Sequence, residues 1–312
     1  MRLIFMGTPE TAVPSLRRCV EDGHEVVAVW TQPDRPAGRG HQLTSPPVKE
    51  YALAQGLTVH QPSKIRTEEA LALFSSGDAD ACIVVAYGRI LPATFLSAPR
   101  RGCINVHFSL LPKYRGAAPV NWAIARGESQ TGVTTMLMDE GLDTGPILLQ
   151  RAVQVGERET APELLARLST LGADLLSETL KSIGELPAQP QTHEAATLAP
   201  ILRREDGKID WSLDAQSIER RVRGFQPWPN AYTEHESRRL VVWRAESLAD
   251  TSAAAQTSQP GQVVEAQGEQ FVVRCGDATA LRLLELQLEG KRRTSARDFL
   301  NGARLRAGDR LG

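Results

Sequence analysis

Residues 2–9 read Arg-Leu-Ile-Phe-Met-Gly-Thr-Pro, and the way this run ends decides the fold. A short apolar strand closes on one glycine and feeds a helix-like stretch that ends near Gly23. A second strand, Glu25 to Trp30, follows at once. Strand, helix and strand at this spacing make a βαβ unit, which requires parallel pairing. The turn carries one glycine where a dinucleotide-binding turn needs three, and the chain has no Gly-x-x-x-x-Gly-Lys phosphate loop. A nicotinamide-dependent or nucleotide-hydrolysing enzyme is therefore a poor reading, and the cleft of the sheet is left for another ligand.

The same alternation continues outward. Strands fit Thr58-Val59, Ala81 to Ala86, Cys103 to His107 and Val133 to Met138, with helical patterns at 47–55, 67–75 and 117–126. A long amphipathic stretch, Thr160 to Ile183, places Leu164, Leu165, Leu168, Leu171, Leu175 and Leu176 on one stripe. Residues 190–208 are rich in proline, small and charged residues and read as a linker. Beyond them come Leu240 to Ala245, Gly261 to Glu265, Gln270 to Cys275 and Ala280 to Leu288, a series of short strands with glycine turns. A run rich in Ala, Ser, Thr and Gln at 249–260 reads as a surface loop. The expected architecture is α/β: a doubly wound, mostly parallel sheet over 1–189, then a small closed β-barrel over 209–312.

With 312 residues the chain can bury two cores. No apolar run is long enough to span a bilayer and no signal-peptide pattern opens the chain, so cytoplasmic residence is expected. The four cysteines are widely spaced, which disfavours a disulfide framework or a zinc site, and Cys82 and Cys103 read as inert core residues. A net charge of −1 does not suggest a polyanion partner, so any such contact must come from local patches. Arg35 with Arg39, and Lys291-Arg292-Arg293, are the visible ones; taken singly, each reads first as solvated surface.

Residues 105–119, Asn-Val-His-Phe-Ser-Leu-Leu-Pro-Lys-Tyr-Arg-Gly-Ala-Ala-Pro, carry the chemistry. Side chains two apart on a strand share a face, so Asn105 and His107 project together at its carboxyl end, where open α/β sheets bind ligands. The amide can donate to an oxyanion, and an imidazole, which ordinarily titrates near neutrality, can move a proton. Asp143, inside Gly141-Leu142-Asp143-Thr144-Gly145, can turn its carboxylate toward that pair; Asp139 and Glu140 compete for the same task. Ser109 lacks the Gly-x-Ser-x-Gly setting of a hydrolase nucleophile.

These two segments resemble the 10-formyltetrahydrofolate-dependent formyltransferases. The likeness extends nearly end to end through Phe5 to Pro9, Thr31 to Gly40, Val85 to Gly88, Ile209-Asp210-Trp211 and Pro227-Trp228-Pro229. It implies a Rossmann-like catalytic domain followed by an OB-like barrel that binds tRNA. It implies Asn105, His107 and Asp143 as catalytic residues, Ser109, Leu110, Leu111 and Pro112 as the folate loop, and 10-formyltetrahydrofolate as formyl donor, with no metal. The acceptor it implies is the amino group of methionine on charged initiator tRNA, giving the formylated form used to start translation. The Arg35–Gly40 loop would enter the acceptor end through Arg35 and Arg39, whose planar heads suit phosphates and unpaired bases. Lys208 would add a contact; Arg220, Arg221, Arg223 and Lys291 to Arg293 are further candidates, although Arg220 to Arg223 also read as one turn of a packed helix. Phe108 is bulkier than the small residue expected there and would reshape the pocket wall. Trp211 and Trp228 read as packing residues. A monomer is expected. The rivals are a formyltransferase acting on a nucleotide-sugar amine, a 10-formyltetrahydrofolate hydrolase, and a non-catalytic folate or RNA-binding module.

Overall fold

The computed structural model describes residues 1–37, 42–248 and 258–312. The chain clusters into two compact units. One joins Met1–Pro119, Gln130–Gln154 and Leu165–Ala199; the other joins Val120–Ser129, Val155–Leu164 and Pro200–Gly312.

The first unit is built on a seven-stranded sheet. In chain order its strands are β1 (Arg2–Gly7), β2 (Glu25–Trp30), β5 (Val59–His60), β6 (Ala81–Val85), β7 (Cys103–His107), β8 (Gln130–Leu137) and β9 (Ile147–Gln154). The intervening β3 (Arg35–Ala37) and β4 (Gln42–Thr44) form a separate hairpin. The order across the sheet is β5-β2-β1-β6-β7-β8-β9, and the first five strands are parallel. β8 and β9 are antiparallel to their neighbours. Strand order reverses between β1 and β6, the point where such sheets leave a crevice at their carboxyl ends.

Both faces are covered, as the unbroken burial of β6 and β7 requires. On one face Ile4, Met6, Trp30, Cys82, Val84 and Cys103 pack with Phe74 of α3 (Glu68–Ser75) and Phe95 of α4 (Ala93–Leu96). Trp30 meets those two rings edge-on at 5.5 and 5.9 Å between centroids, the arrangement that aromatic quadrupoles favour. The opposite face carries α1 (Val13–Glu21) and α6 (Ala161–Ser182), joined by the Arg18–Asp174 ion pair, and Ser169 Oγ donates to Thr11 O in the turn that precedes α1. α6 starts where Thr160 donates its N–H and hydroxyl to Glu163, at 2.9 and 2.7 Å, a capping arrangement that relieves an orphan backbone donor. It buries Leu164, Leu168, Leu175 and Leu176 of the expected stripe. All four cysteines are buried thiols, and burial pushes Cys19 and Cys275 up to about 12.

The second unit is an antiparallel sheet in the order β10-β11-β14-β13-β12, with β15 (Thr294–Ser295) added at β14. Its other strands are β10 (Ala231–His235), β11 (Arg238–Leu248), β12 (Val263–Gln267), β13 (Gln270–Arg274) and β14 (Ala280–Leu288). Ala231 of the first strand and Val263 of the last belong to one core, together with Trp211, Ile218, Val222, Leu240, Phe271 and Phe299. The sheet therefore curls around a shared interior. No pairing joins β10 to β12 among the described residues, so the closed barrel expected from the strand pattern is a partly open, OB-like one.

The structure corrects five expectations. β9 and β10 went unread because both lie at sheet edges, where few of their residues are buried. The Arg35 loop, expected to be structureless, is the β3–β4 hairpin, in which Arg35 pairs with Thr44; Arg39 and His41 lie outside the described residues. Phe108 follows Val106 on the α6 side of the sheet and lies beside Gly172, so it packs away from His107 rather than forming a pocket wall. Trp228, expected to pack, is 54% exposed, whereas Phe225, just after α7 (Ala215–Gly224), is buried against Trp122. The first part of the expected linker is not free: Thr197 and Ala199 donate backbone hydrogen bonds to Pro112 O and Arg115 O.

Gly172 shows how tightly α6 is seated, since a Cβ there would stand 2.9 Å from Val106 Cγ1 and 3.4 Å from the Phe108 ring. Gly172→Leu should therefore destabilise the protein by about 1–3 kcal/mol, despite the gain in helix propensity, because the core cannot take added volume without strain. Urea unfolding monitored by far-UV dichroism checks this through the shift in midpoint at unchanged slope.

Candidate active site

Asn105 and His107 stand on the face of β7 that also carries Cys103, with Met136 and Thr134 of β8 as their cross-strand partners. Both are nearly buried. The loop after β8 brings Asp143 back to them. Pro146 O accepts the Leu137 N–H at the base of that loop, and Asp139 Oδ1 accepts from the Gly141 N–H at 3.0 Å and from Thr144 Oγ1 at 2.7 Å. Asp139 is thus committed to shaping the loop, which removes it as a rival to Asp143. Asp143 itself has φ +52°, a left-handed conformation uncommon outside glycine and tolerated best by Asn and Asp.

The Asp143 carboxylate lies between the two β7 side chains. Its Oδ1 accepts from Asn105 Nδ2 at 3.4 Å, its Oδ2 accepts the Gly116 N–H at 2.8 Å, and Oδ2 is 3.7 Å from His107 Nδ1. His107 Nε2 is 2.9 Å from Tyr114 O. A carbonyl cannot donate, so Nε2 carries the ring hydrogen. In the neutral ring Nδ1 is then the free lone pair, and it faces the carboxylate. The nitrogen that can take a proton is therefore the one beside the Asp143 carboxylate.

The loop Ser109 to Pro112 is braced by side chains of β8 and β9. Thr134 Oγ1 donates to Ser109 O at 2.7 Å and accepts the Leu111 N–H at 3.1 Å. Gln150 Nε2 donates to Leu111 O at 2.8 Å and to Thr134 Oγ1 at 2.9 Å, and Ser109 Oγ donates to Lys113 O at 2.6 Å. Ser109 and Leu111 are buried, whereas Leu110 and Pro112 are half-exposed. Leu110 lies over Gly132 of β8, where a Cβ would stand 2.6 Å from its Cδ2.

At the root of the hairpin, Gln61 first and then Lys49 hold the Asp34 carboxyl below its ordinary range; Gln61 Nε2 lies at 2.7 Å and Lys49 Nζ at 2.7 and 2.9 Å. Arg35 above it is exposed. In the second unit Lys208 is exposed, 4.0 Å from Glu234. Arg223 pairs with Glu219 and donates to Glu159 O at 2.8 Å, so it is structural. Arg293 pairs with Glu285 and lies over the Trp243 ring, while Lys291 and Arg292 are exposed. Sequence reading assigned no role to Arg115 or Gln191, which reach Asp143 from behind; Arg115 was visible within Tyr-Arg-Gly, but Gln191 carried no signal.

An amide, an imidazole and a carboxylate gathered at the end of β7 of a Rossmann-like sheet are the group types that acyl transfer to an amine can use without a nucleophilic side chain. Formyl transferase sequences match residues 1–180, and the formyl transferase C-terminal domain matches residues 201–304. The chain belongs to the formyl transferase family. It is 47% identical to a methionyl-tRNA formyltransferase of Geobacter metallireducens, over all of this chain and 99% of the relative. It is 51% identical to one of Koribacter versatilis, also over all of this chain and 99% of that protein. Among solved structures, it resembles methionyl-tRNA formyltransferase from Clostridium thermocellum (TM-score 0.56, 19% identity, 79% of this chain and 93% of that one). It also resembles a Helicobacter canadensis N-formyltransferase in complex with folinic acid and dTDP-3-aminofucose (TM-score 0.66, 18% identity, 91% and 98% covered).

Thr134 is the hub of the loop. Thr134→Val keeps the shape and removes every hydrogen bond its hydroxyl makes, so it should cost about 1–3 kcal/mol for the buried partners left unpaired. Hydrogen exchange at Leu111 should accelerate by more than that of the β7 amides; equal protection would deny the hub its role.

Proposed function

We propose that the chain transfers the formyl group of 10-formyltetrahydrofolate to the amino group of methionine on charged initiator tRNA. The observation that carries this reading is the Asp143 carboxylate held between Asn105 Nδ2 and His107 Nδ1. It occurs in a chain whose relatives of matching length bear the name methionyl-tRNA formyltransferase. The folate supplies an activated formyl carbonyl. Ser109 to Pro112 would hold it, with Leu110 and Pro112 against its apolar surface. Asn105 donates to the oxygen on which negative charge develops. His107 Nδ1 takes the proton released by the attacking amine and returns it to the nitrogen that leaves, while Asp143 stabilises the charged ring. The amine is the nucleophile, so no covalent intermediate on the protein is required.

In this reading residues 1–189 form the catalytic part, 190–208 connect, and 209–312 bind RNA; the family matches at 1–180 and 201–304 support that division. Arg35, Arg39 and Lys208 contact the tRNA. The protein acts as a monomer in the cytoplasm, where charged tRNA is used; among the described residues no helix is long and apolar enough to cross a membrane. The nucleotide-sugar reading has less support, since relatives 47–51% identical over their full length carry the tRNA name, while the sugar formyltransferases of known structure match at 17–20% identity.

An in vitro formylation assay comparing charged initiator tRNA, an amino sugar and water separates these activities; preference for the sugar or for water overturns the proposal. Asn105→Ala should lower kcat by roughly 100- to 1,000-fold, as the loss of an oxyanion donor does. His107→Ala should cost about 100- to 10,000-fold, with the melting temperature little changed. Arg35→Ala should raise KM for the tRNA and leave folate affinity in place, and added salt should deepen the tRNA effect only. An equal loss of folate affinity would place the hairpin in the folate pocket.

A further inference from the structure

We propose that Arg115 and Gln191 form a positioning pair that holds the Asp143 loop in its working geometry, a reading that rests on the role proposed above for Asp143. Arg115 is buried, with 6% of its surface exposed. Its Nε and Nη2 both donate to Gln191 Oε1, at 3.0 and 2.7 Å, and its Nη1 lies 3.3 Å from His193 Nδ1. A guanidinium has donors only, so the oxygen of the Gln191 amide must face it. That settles which way the amide points: Nε2 is turned to the other side, where it donates to Asp143 O at 2.9 Å and to Gly145 O at 2.7 Å. Both hydrogens of the amide are used, and each fixes a carbonyl of the catalytic loop.

The loop needs such a hold. Asp143 sits at φ +52°, a conformation that persists in a non-glycine residue only where its surroundings impose it. The pair also closes a ring of contacts around the site. Tyr114 O accepts from His107 and the Gly116 N–H donates to Asp143 Oδ2, so the backbone on either side of Arg115 touches both groups. The Arg115 side chain, through Gln191, then grips Asp143 from its main-chain side. Thr197 locks the same turn, since its Oγ1 accepts the Tyr114 N–H at 2.9 Å and its carbonyl accepts the Arg115 N–H. The segment that the sequence reads as a linker thus supplies a part of the site. Neither Arg115 nor Gln191 touches the reacting atoms; each acts through Asp143.

The test uses the full chain and four variants: Gln191→Glu, Asp143→Asn, the double variant, and Arg115→Lys. Q191E keeps an acceptor for the guanidinium and so retains the fold, but it removes both donors to the loop. Its kcat should fall roughly 100-fold, as a misplacement of about 1 Å does. KM for both substrates and the melting temperature should stay close to wild type. In the D143N background the same change should cost less than about threefold more, because residues that act through one group are not additive. R115K keeps the charge but loses the fork, and should reproduce the kcat loss if Q191E does not fold. Unchanged kcat in Q191E or R115K overturns the pair. So does a loss that is equal in both backgrounds, or one that tracks the melting temperature, since either marks a merely structural role. If D143N itself turns over like wild type, the role of Asp143 falls and this inference with it. A crippled D143N beside an unaffected Q191E overturns the pair alone.

Discussion

A carboxylate held beside an imidazole at the end of a strand is the constraint on which the rest of the site depends. β7 alone can present Asn105 and His107, but it cannot supply their acid. That comes from β8, which runs antiparallel and ends level with Ile104, past Asn105 and away from the crevice. The chain must therefore climb back. It does so in a short loop closed at its base by Leu137 and Pro146 and shaped inside by Asp139, with Asp143 in a left-handed conformation at its apex. An all-parallel sheet would have carried the next strand's end up to the crevice and left no such return. The switch from parallel to antiparallel at β8 is what permits the geometry.

Polar accounting explains why the site is rigid. The buried groups around it are paired one by one: Thr134 with Ser109, Leu111 and Gln150, the Asp143 backbone with Gln191, and His107 with Tyr114. In a low-dielectric interior each of these is costly to break, so the loops that carry the chemistry have little freedom although none lies on a regular element. The basic residues of the second unit behave differently. Arg223 is half-buried and tied to Glu219, Arg293 pairs with Glu285 and Lys208 with Glu234 while both stay exposed, and Lys291 and Arg292 are exposed. Proximity in sequence had grouped them; only their partners separate structural from available charge.

Much of the fold was legible, because period-two burial and the spacing of strands and helices are local properties. The parallel half of the sheet, the long α6 and most strands of the second unit follow from such patterns. Edge strands such as β9 were not legible, since half their residues face solvent and dilute the apolar signal. Trp228 was misread for a related reason. A large aromatic reads as core from its type alone, but only the packing shows that Phe225 is buried there and Trp228 is exposed. The side of the sheet on which Phe108 lies could have been inferred from its register with Val106; its packing against Gly172 could not.

The sequence by itself determined the α/β alternation, the absence of a phosphate-binding turn, and the shared face of Asn105 and His107, all consequences of spacing along one chain. Tertiary structure decided which carboxylate lies beside Asn105 and His107, which nitrogen of His107 is free, and that Gln191, far along the chain, donates to the carbonyls of that loop. The first and the last depend on partners brought together from 38 and 76 positions apart, Asn105 with Asp143 and Arg115 with Gln191, and the second on a turn that returns Tyr114 O to His107. No local pattern encodes such a meeting, because it exists only once both halves of the sheet have packed against their helices.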